Sequence, residues 1–90
     1  MKVFIIPGNG SGDVTNCMWY PWVQRKLNNA DLWPETTNIQ CCLQNMPDPL
    51  YARKSIWLPF MENDLRIGKD DIIIGHSSGA VRRKLAIKYI

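Results

Sequence analysis

Ninety residues, 46% hydrophobic and 21% charged, give a chain with room for one small folded unit. A chain this short buries only roughly 60 to 65% of the surface its unfolded form exposes, so a thin core is expected. The net charge of +3 is localised: residues 1–81 carry seven Lys and Arg against eight Asp and Glu, and Arg82, Arg83, Lys84 and Lys88 supply the excess, which argues against the broad basic face that a nucleic-acid partner needs.

Lys2 to Ile6 has the short apolar, β-branched run of a buried strand, ended by the turn formers Pro7-Gly8-Asn9-Gly10-Ser11-Gly12. Its apolar run is too short for the core of a secretory leader, and no stretch is long enough to span a membrane, so an intracellular, cytoplasmic chain is expected. The three cysteines, Cys17, Cys41 and Cys42, show neither a CxxC pair nor metal-ligand spacing. No disulfide framework, metal or cofactor is expected.

Trp19, Trp22, Val23 and Leu27 recur at helical spacing, with Pro21 tolerable in a first turn and Asn28-Asn29 closing the stretch. This pattern predicts a helix that packs its aromatics on a sheet. The polar segment from Asn28 to Thr37 is a loop, and a second strand is predicted at about Asn38 to Leu43. Asp48-Pro49 then resembles the N-cap and first position of another helix, with Leu50, Ile56, Trp57, Phe60 and Met61 on its apolar face. Pro59 should kink or split that helix, because it removes a backbone donor and crowds the preceding turn.

After the turn Gly68-Lys69-Asp70-Asp71, the run Ile72-Ile73-Ile74 predicts a third strand buried on both faces. Alternation of strand and helix implies a parallel sheet with right-handed crossovers, sandwiched in an α/β/α arrangement with spatial order second, first, third.

Gly75-His76-Ser77-Ser78-Gly79 fits G-x-S-x-G directly after a strand and before a helix, the context of a nucleophile elbow. Ser77 is the candidate nucleophile, and Gly75 and Gly79 remove side chains where backbone and helix approach. The Ser78 amide is one candidate oxyanion donor. The other is an amide at Asn9 or Gly10, in the loop expected at the same end of the sheet. A phosphate cradle is not expected: G-x-G-x-x-G fails because position 13 is Asp13, and no G-x-x-x-x-G-K occurs.

"PGNGSGD" at Pro7 to Asp13, "WYPWV" at Trp19 to Val23, "NMPDP" at Asn45 to Pro49, "SIWLPFM" at Ser55 to Met61 and "IIIGHSSGA" at Ile72 to Ala80 together carry a family resemblance. Over most of residues 3 to 81 the chain resembles the retinoblastoma-binding protein 9 family of small serine hydrolases, of α/β-hydrolase fold. The resemblance implies hydrolysis of small ester or amide substrates, with Ser77 at the nucleophile position. In that fold the triad acid and histidine follow the serine along the chain, yet residues 78–90 contain no His, Asp or Glu.

His76, the one histidine, is expected to project away from its neighbour's hydroxyl. Lys84 would lie roughly 10 Å along a helix from Ser77, too far to replace it. The resemblance implies that residues 1–81 are the N-terminal half of such a domain, truncated after the elbow strand, and little activity is expected. A non-catalytic short form, an interaction protein or an incomplete gene product are the alternatives.

Residues 82–90 form a divergent basic tail. Arg82, Arg83 and Lys84 spread over much of a helical circumference, which sets at least one cation toward the sheet and all three near a helix N-terminus. The family name points to retinoblastoma protein, bound through L-x-C-x-E. Here that place has Leu65-Arg66-Ile67-Gly68-Lys69, so the partner is not implied.

Overall fold

The computed structural model describes residues 1–81; the basic tail and the packing of Arg82, Arg83 and Lys84 lie outside the described residues. Lys2–Ile6 forms β1, Tyr20–Asn28 α1, Gln40–Leu43 β2, Lys54–Pro59 α2 and Ile72–Gly75 β3. The three strands are parallel in the order β2-β1-β3, with Val3 opposite Cys41 on one side and Ile72 on the other.

Alternation along β1 creates two cores, because successive side chains of a strand point to opposite faces. Phe4 and Ile6 join Met46, Ala52, Trp57, Met61 and Ile67 on the α2 face. Val3 and Ile5 join Val14, Tyr20, Cys41 and Leu43 on the α1 face, where Val23 and Leu27 pack. β1 is thus covered on both faces, as a central parallel strand requires. The α/β/α layering read from the sequence is borne out.

α1 tolerates Pro21 because it stands in the first turn, where its missing N–H has no helical partner. One assignment on this helix is corrected. Trp22 is 55% exposed instead of packing on the sheet, and the Lys26 ammonium lies 5.5 Å from its ring centroid. The residue on that helix which is fully buried is Tyr20.

Asn28, the last residue of α1, closes the outer edge of β2. Its Oδ1 accepts from the Cys41 N–H at 2.7 Å and its Nδ2 donates to the Cys41 carbonyl at 3.2 Å. One side-chain amide thereby satisfies the backbone pair that an open edge would expose. β2 begins at Gln40, two residues later than expected, with the Gln40 N–H bonded to the Met1 carbonyl at 2.9 Å.

The Cys41 thiol is buried among these contacts, and burial together with the neighbouring Cys42 raises its pKa from 9.0 to about 11. A thiol pKa raised by folding contributes stability that is complete below about pH 9 and lost as the pH rises through 11. Iodoacetamide at pH 8 should therefore modify half-buried Cys17 and Cys42 first. Peptide mapping that finds Cys41 alkylated equally fast in the folded chain would contradict this packing.

The Asp48-Pro49 helix start is also corrected. Asp48 has φ +48° and its carbonyl accepts from Ala52 N–H at 2.8 Å, closing a tight turn that leaves Leu50 and Tyr51 exposed. Its carboxylate caps the end of that turn by accepting from Arg53 N–H at 3.0 Å. α2 starts only at Lys54. Pro59 then has the expected effect: α-helical geometry gives way to a π-helical turn over Phe60–Asp64, with the Leu65 N–H reaching the Phe60 carbonyl at 3.0 Å.

β3 departs from its expected burial on both faces. Ile72 is 44% exposed and Ile73 and Ile74 are half-buried, because β3 is an edge strand of the described sheet. Among the described residues no helix is long and apolar enough to cross a membrane.

Candidate active site

Three loops meet at the C-terminal end of the sheet, where crossover connections in α/β folds place their ligand sites. The loop after β1 contributes Gly8 to Asp13, the loop after β2 contributes Asn45 to Ala52, and the turn after β3 contributes His76 to Ser78. Gly10 N–H donates to the Pro49 carbonyl at 2.7 Å, and Asn9 Nδ2 donates to the Leu50 carbonyl at 3.1 Å. Ser78 Oγ donates to Asn9 Oδ1 at 2.5 Å. Asn9 thus ties all three loops together.

Ser77 has φ +55°, a left-handed conformation that a non-glycine residue adopts at a cost of order 1–3 kcal/mol. The strain is held by close packing. His76 N–H bonds the Ile6 carbonyl at 3.1 Å on one side of Ser77, and the Ser77 carbonyl accepts from Ala80 N–H at 3.0 Å on the other. A Cβ on Gly79 would overlap the Ile6 carbonyl, and one on Gly75 would lie 2.7 Å from backbone atoms of Ala80. The helix beginning at Ser78 can enter only because both side chains are missing. Ser77 itself remains exposed at the surface of the turn.

The amides near Ser77 are not equivalent. The Gly10 N–H is committed to Pro49, and the Gly8 N–H to the Tyr20 hydroxyl at 3.0 Å. Gly10 is thereby removed from the expected oxyanion donors, because its hydrogen already has a carbonyl acceptor. Asn9 N–H has no acceptor among the described residues. Ser78 N–H, at the first position of that helix, has none among the described residues either.

His76 turns toward α1. Its Nδ1 lies 2.7 Å from the Tyr20 hydroxyl, and its ring stands edge-on to Trp19 with centroids 5.6 Å apart. Asp13, at the end of the loop after β1, is also engaged elsewhere: it accepts from Thr15 Oγ1 at 2.7 Å, Thr15 N–H at 3.1 Å, Asn16 Nδ2 at 3.1 Å and Asn45 Nδ2 at 3.3 Å. Those hydrogen bonds, the Thr15 hydroxyl foremost, hold its carboxyl below the ordinary 3.8. Among the described residues no cluster of His, Cys, Asp and Glu could hold a metal ion.

Tyr20 and Asn45 are site residues that sequence reasoning passed over. Tyr20 was inside the "WYPWV" stretch, but helical spacing alone gave no sign that its hydroxyl would reach the end of β1. Asn45 both accepts from Val14 N–H at 2.9 Å and donates to Asp13. Their partners lie far apart in sequence, so only the folded chain brings them together.

A parallel sheet covered by helices, with the serine of G-x-S-x-G on a left-handed turn after its edge strand, defines an α/β-hydrolase-like protein. The crystal structure of the ydeN gene product from B. subtilis aligns with a TM-score of 0.71 at 28% identity, covering 94% of this chain and 41% of that one. The resemblance to the retinoblastoma-binding protein 9 family of serine hydrolases is borne out as well. The chain is 51% identical over 80 residues to serine hydrolase RBBP9 of Rattus norvegicus, a match covering 89% of this chain and 40% of that relative. It thus spans about two fifths of the length of these relatives. No protein-family model matches it.

Proposed function

We propose that this chain carries the nucleophile and oxyanion donors of a serine hydrolase for small ester or amide substrates. The left-handed backbone of Ser77 at φ +55°, between β3 and a helix N-terminus, is the observation that supports this reading best. In the reaction Ser77 Oγ bonds to the substrate carbonyl carbon, and the carbonyl π pair moves onto oxygen. The amides of Ser78 and Asn9 stabilise that oxyanion. Its collapse expels the alcohol or amine, which takes up a proton, and water then releases the acid from the acyl-serine.

The hydroxyl proton needs an acceptor during attack. His76 faces Tyr20, and the sequence has no other histidine. Among the described residues no general base is hydrogen-bonded to the Ser77 hydroxyl, so the proton passes to solvent, and oxyanion stabilisation alone leaves an acceleration on the order of a thousandfold over water.

An alkyl fluorophosphonate tests this: Oγ bonds to phosphorus, the P–F bond breaks, fluoride leaves and the hydroxyl proton goes to water. Labelling should map to Ser77, vanish in Ser77→Ala, and run at least about a thousandfold slower than for a complete triad. Equal labelling of both proteins would remove Ser77 as the nucleophile. Labelling at the rate of a complete triad would show that a base is present after all.

A further inference from the structure

The ladder between β1 and β3 stops one rung early, and a tyrosine hydroxyl takes the place of the missing rung. His76 N–H donates to the Ile6 carbonyl at 3.1 Å, so the next parallel rung would run from Gly8 N–H to the His76 carbonyl. Instead that carbonyl accepts from Gly79 N–H at 2.9 Å, inside the turn around Ser77. The Gly8 N–H, buried, donates to the Tyr20 hydroxyl at 3.0 Å.

Tyr20 is fully buried, so its own proton also needs an acceptor. The His76 Nδ1 at 2.7 Å provides one, which makes Nδ1 an acceptor and leaves the imidazole proton on Nε2. One hydroxyl therefore bridges the loop that offers the Asn9 amide and the turn that presents Ser77. The spacing between them is tight: a Cβ on Gly8 would lie 3.2 Å from the Ser77 Cβ.

We infer that Tyr20 is a positioning residue, whose hydroxyl sets the distance between the Ser77 nucleophile and the Asn9 oxyanion donor by bonding Gly8 N–H and His76 Nδ1. This rests on the reading of Ser77 as nucleophile. An oxyanion donor acts only when held about 2.7–3.1 Å from the developing charge, so a small shift of the Gly8-Asn9 segment weakens attack while leaving reagent binding intact.

The experiment measures fluorophosphonate labelling of Ser77 against probe concentration in the 90-residue chain and in Tyr20→Phe, His76→Leu and His76→Asn, together with ring nitrogen NMR shifts of His76. Tyr20→Phe and His76→Leu should lower the maximal rate about tenfold or more with the half-saturating concentration within about twofold, and His76→Asn, whose amide oxygen falls near Nδ1, should recover to within about threefold of the parent. The parent spectrum should show the Nε2–H tautomer.

A Tyr20→Phe maximal rate equal to that of a parent that does label at Ser77 would overturn the inference and leave the nucleophile reading standing. Labelling of the parent no greater than that of Ser77→Ala would remove both. If Tyr20→Phe does not fold, the histidine pair decides, and equal rates for His76→Leu and His76→Asn overturn the positioning role.

Discussion

Gly79→Ala is expected to lower stability by about 3 kcal/mol or more, a large share of the 5–15 kcal/mol typical of a small fold. The new methyl group would overlap the Ile6 carbonyl and approach the Pro7 carbonyl at 2.6 Å and the Ile6 carbonyl carbon at 2.7 Å. All three obstacles are backbone atoms of the central strand and its end, which cannot rotate aside as a flexible side chain would. Relief requires the helix after Ser77 to move off β1, and the His76–Ile6 hydrogen bond would go with it.

Gly10→Ala is the control. A Cβ there meets nothing within 4 Å, so its cost is confined to the left-handed backbone at φ +75°, about 1 kcal/mol. Urea unfolding followed by circular dichroism should lower the midpoint by about 1 M or more for Gly79→Ala and clearly less for Gly10→Ala. Equal shifts would mean that the turn does not pack on β1 as described.

Trp57→Ala should cost about 3–5 kcal/mol, the range for removing a large aromatic side chain from a core. Trp57 is fully buried between Phe4 and Ile6 of β1 and Met46, Ala52, Met61 and Ile67. Its indole Nε1 also donates to the Pro47 carbonyl at 2.6 Å. That bond anchors the loop whose Pro49 carbonyl holds Gly10, so the core on the α2 face supports the loop beside Ser77.

Trp57→Phe separates the two contributions. It keeps most of the apolar volume and loses the hydrogen bond, for a smaller cost of about 1–2 kcal/mol. The difference between the two variants in urea midpoint measures the packing term. A Trp57→Ala midpoint within error of the parent would show that this core is not formed in solution.

Much of the layout was legible in the chain because it depends on local patterns. The isoleucine-rich runs marked β1 and β3, Pro21 fixed the first turn of α1, and Pro59 marked the change of helical geometry. Where the reading failed, tertiary contacts outweighed local preference. Asp48-Pro49 has the composition of a helix start, but the hydrogen bond from Ala52 N–H to the Asp48 carbonyl closes a turn there first. Trp22 fits the helical spacing of a core residue, but Tyr20 takes the buried position and Trp22 faces solvent with Lys26. Ile72 has the character of a buried strand residue, yet its strand lies at an edge of the described sheet.

By itself the sequence determined the α/β alternation, the elbow and its serine, because strand periodicity and the glycine pattern of a tight turn are local requirements. It also determined that no second histidine is present. Only the tertiary structure decided which amides beside Ser77 have no partner among the described residues, because Gly8 and Gly10 are engaged by Tyr20 and Pro49 from distant segments. It likewise decided that His76 faces α1. Hydrogen bonds between groups tens of residues apart exist only when packing has brought three loops to one end of the sheet, and no local pattern encodes that convergence.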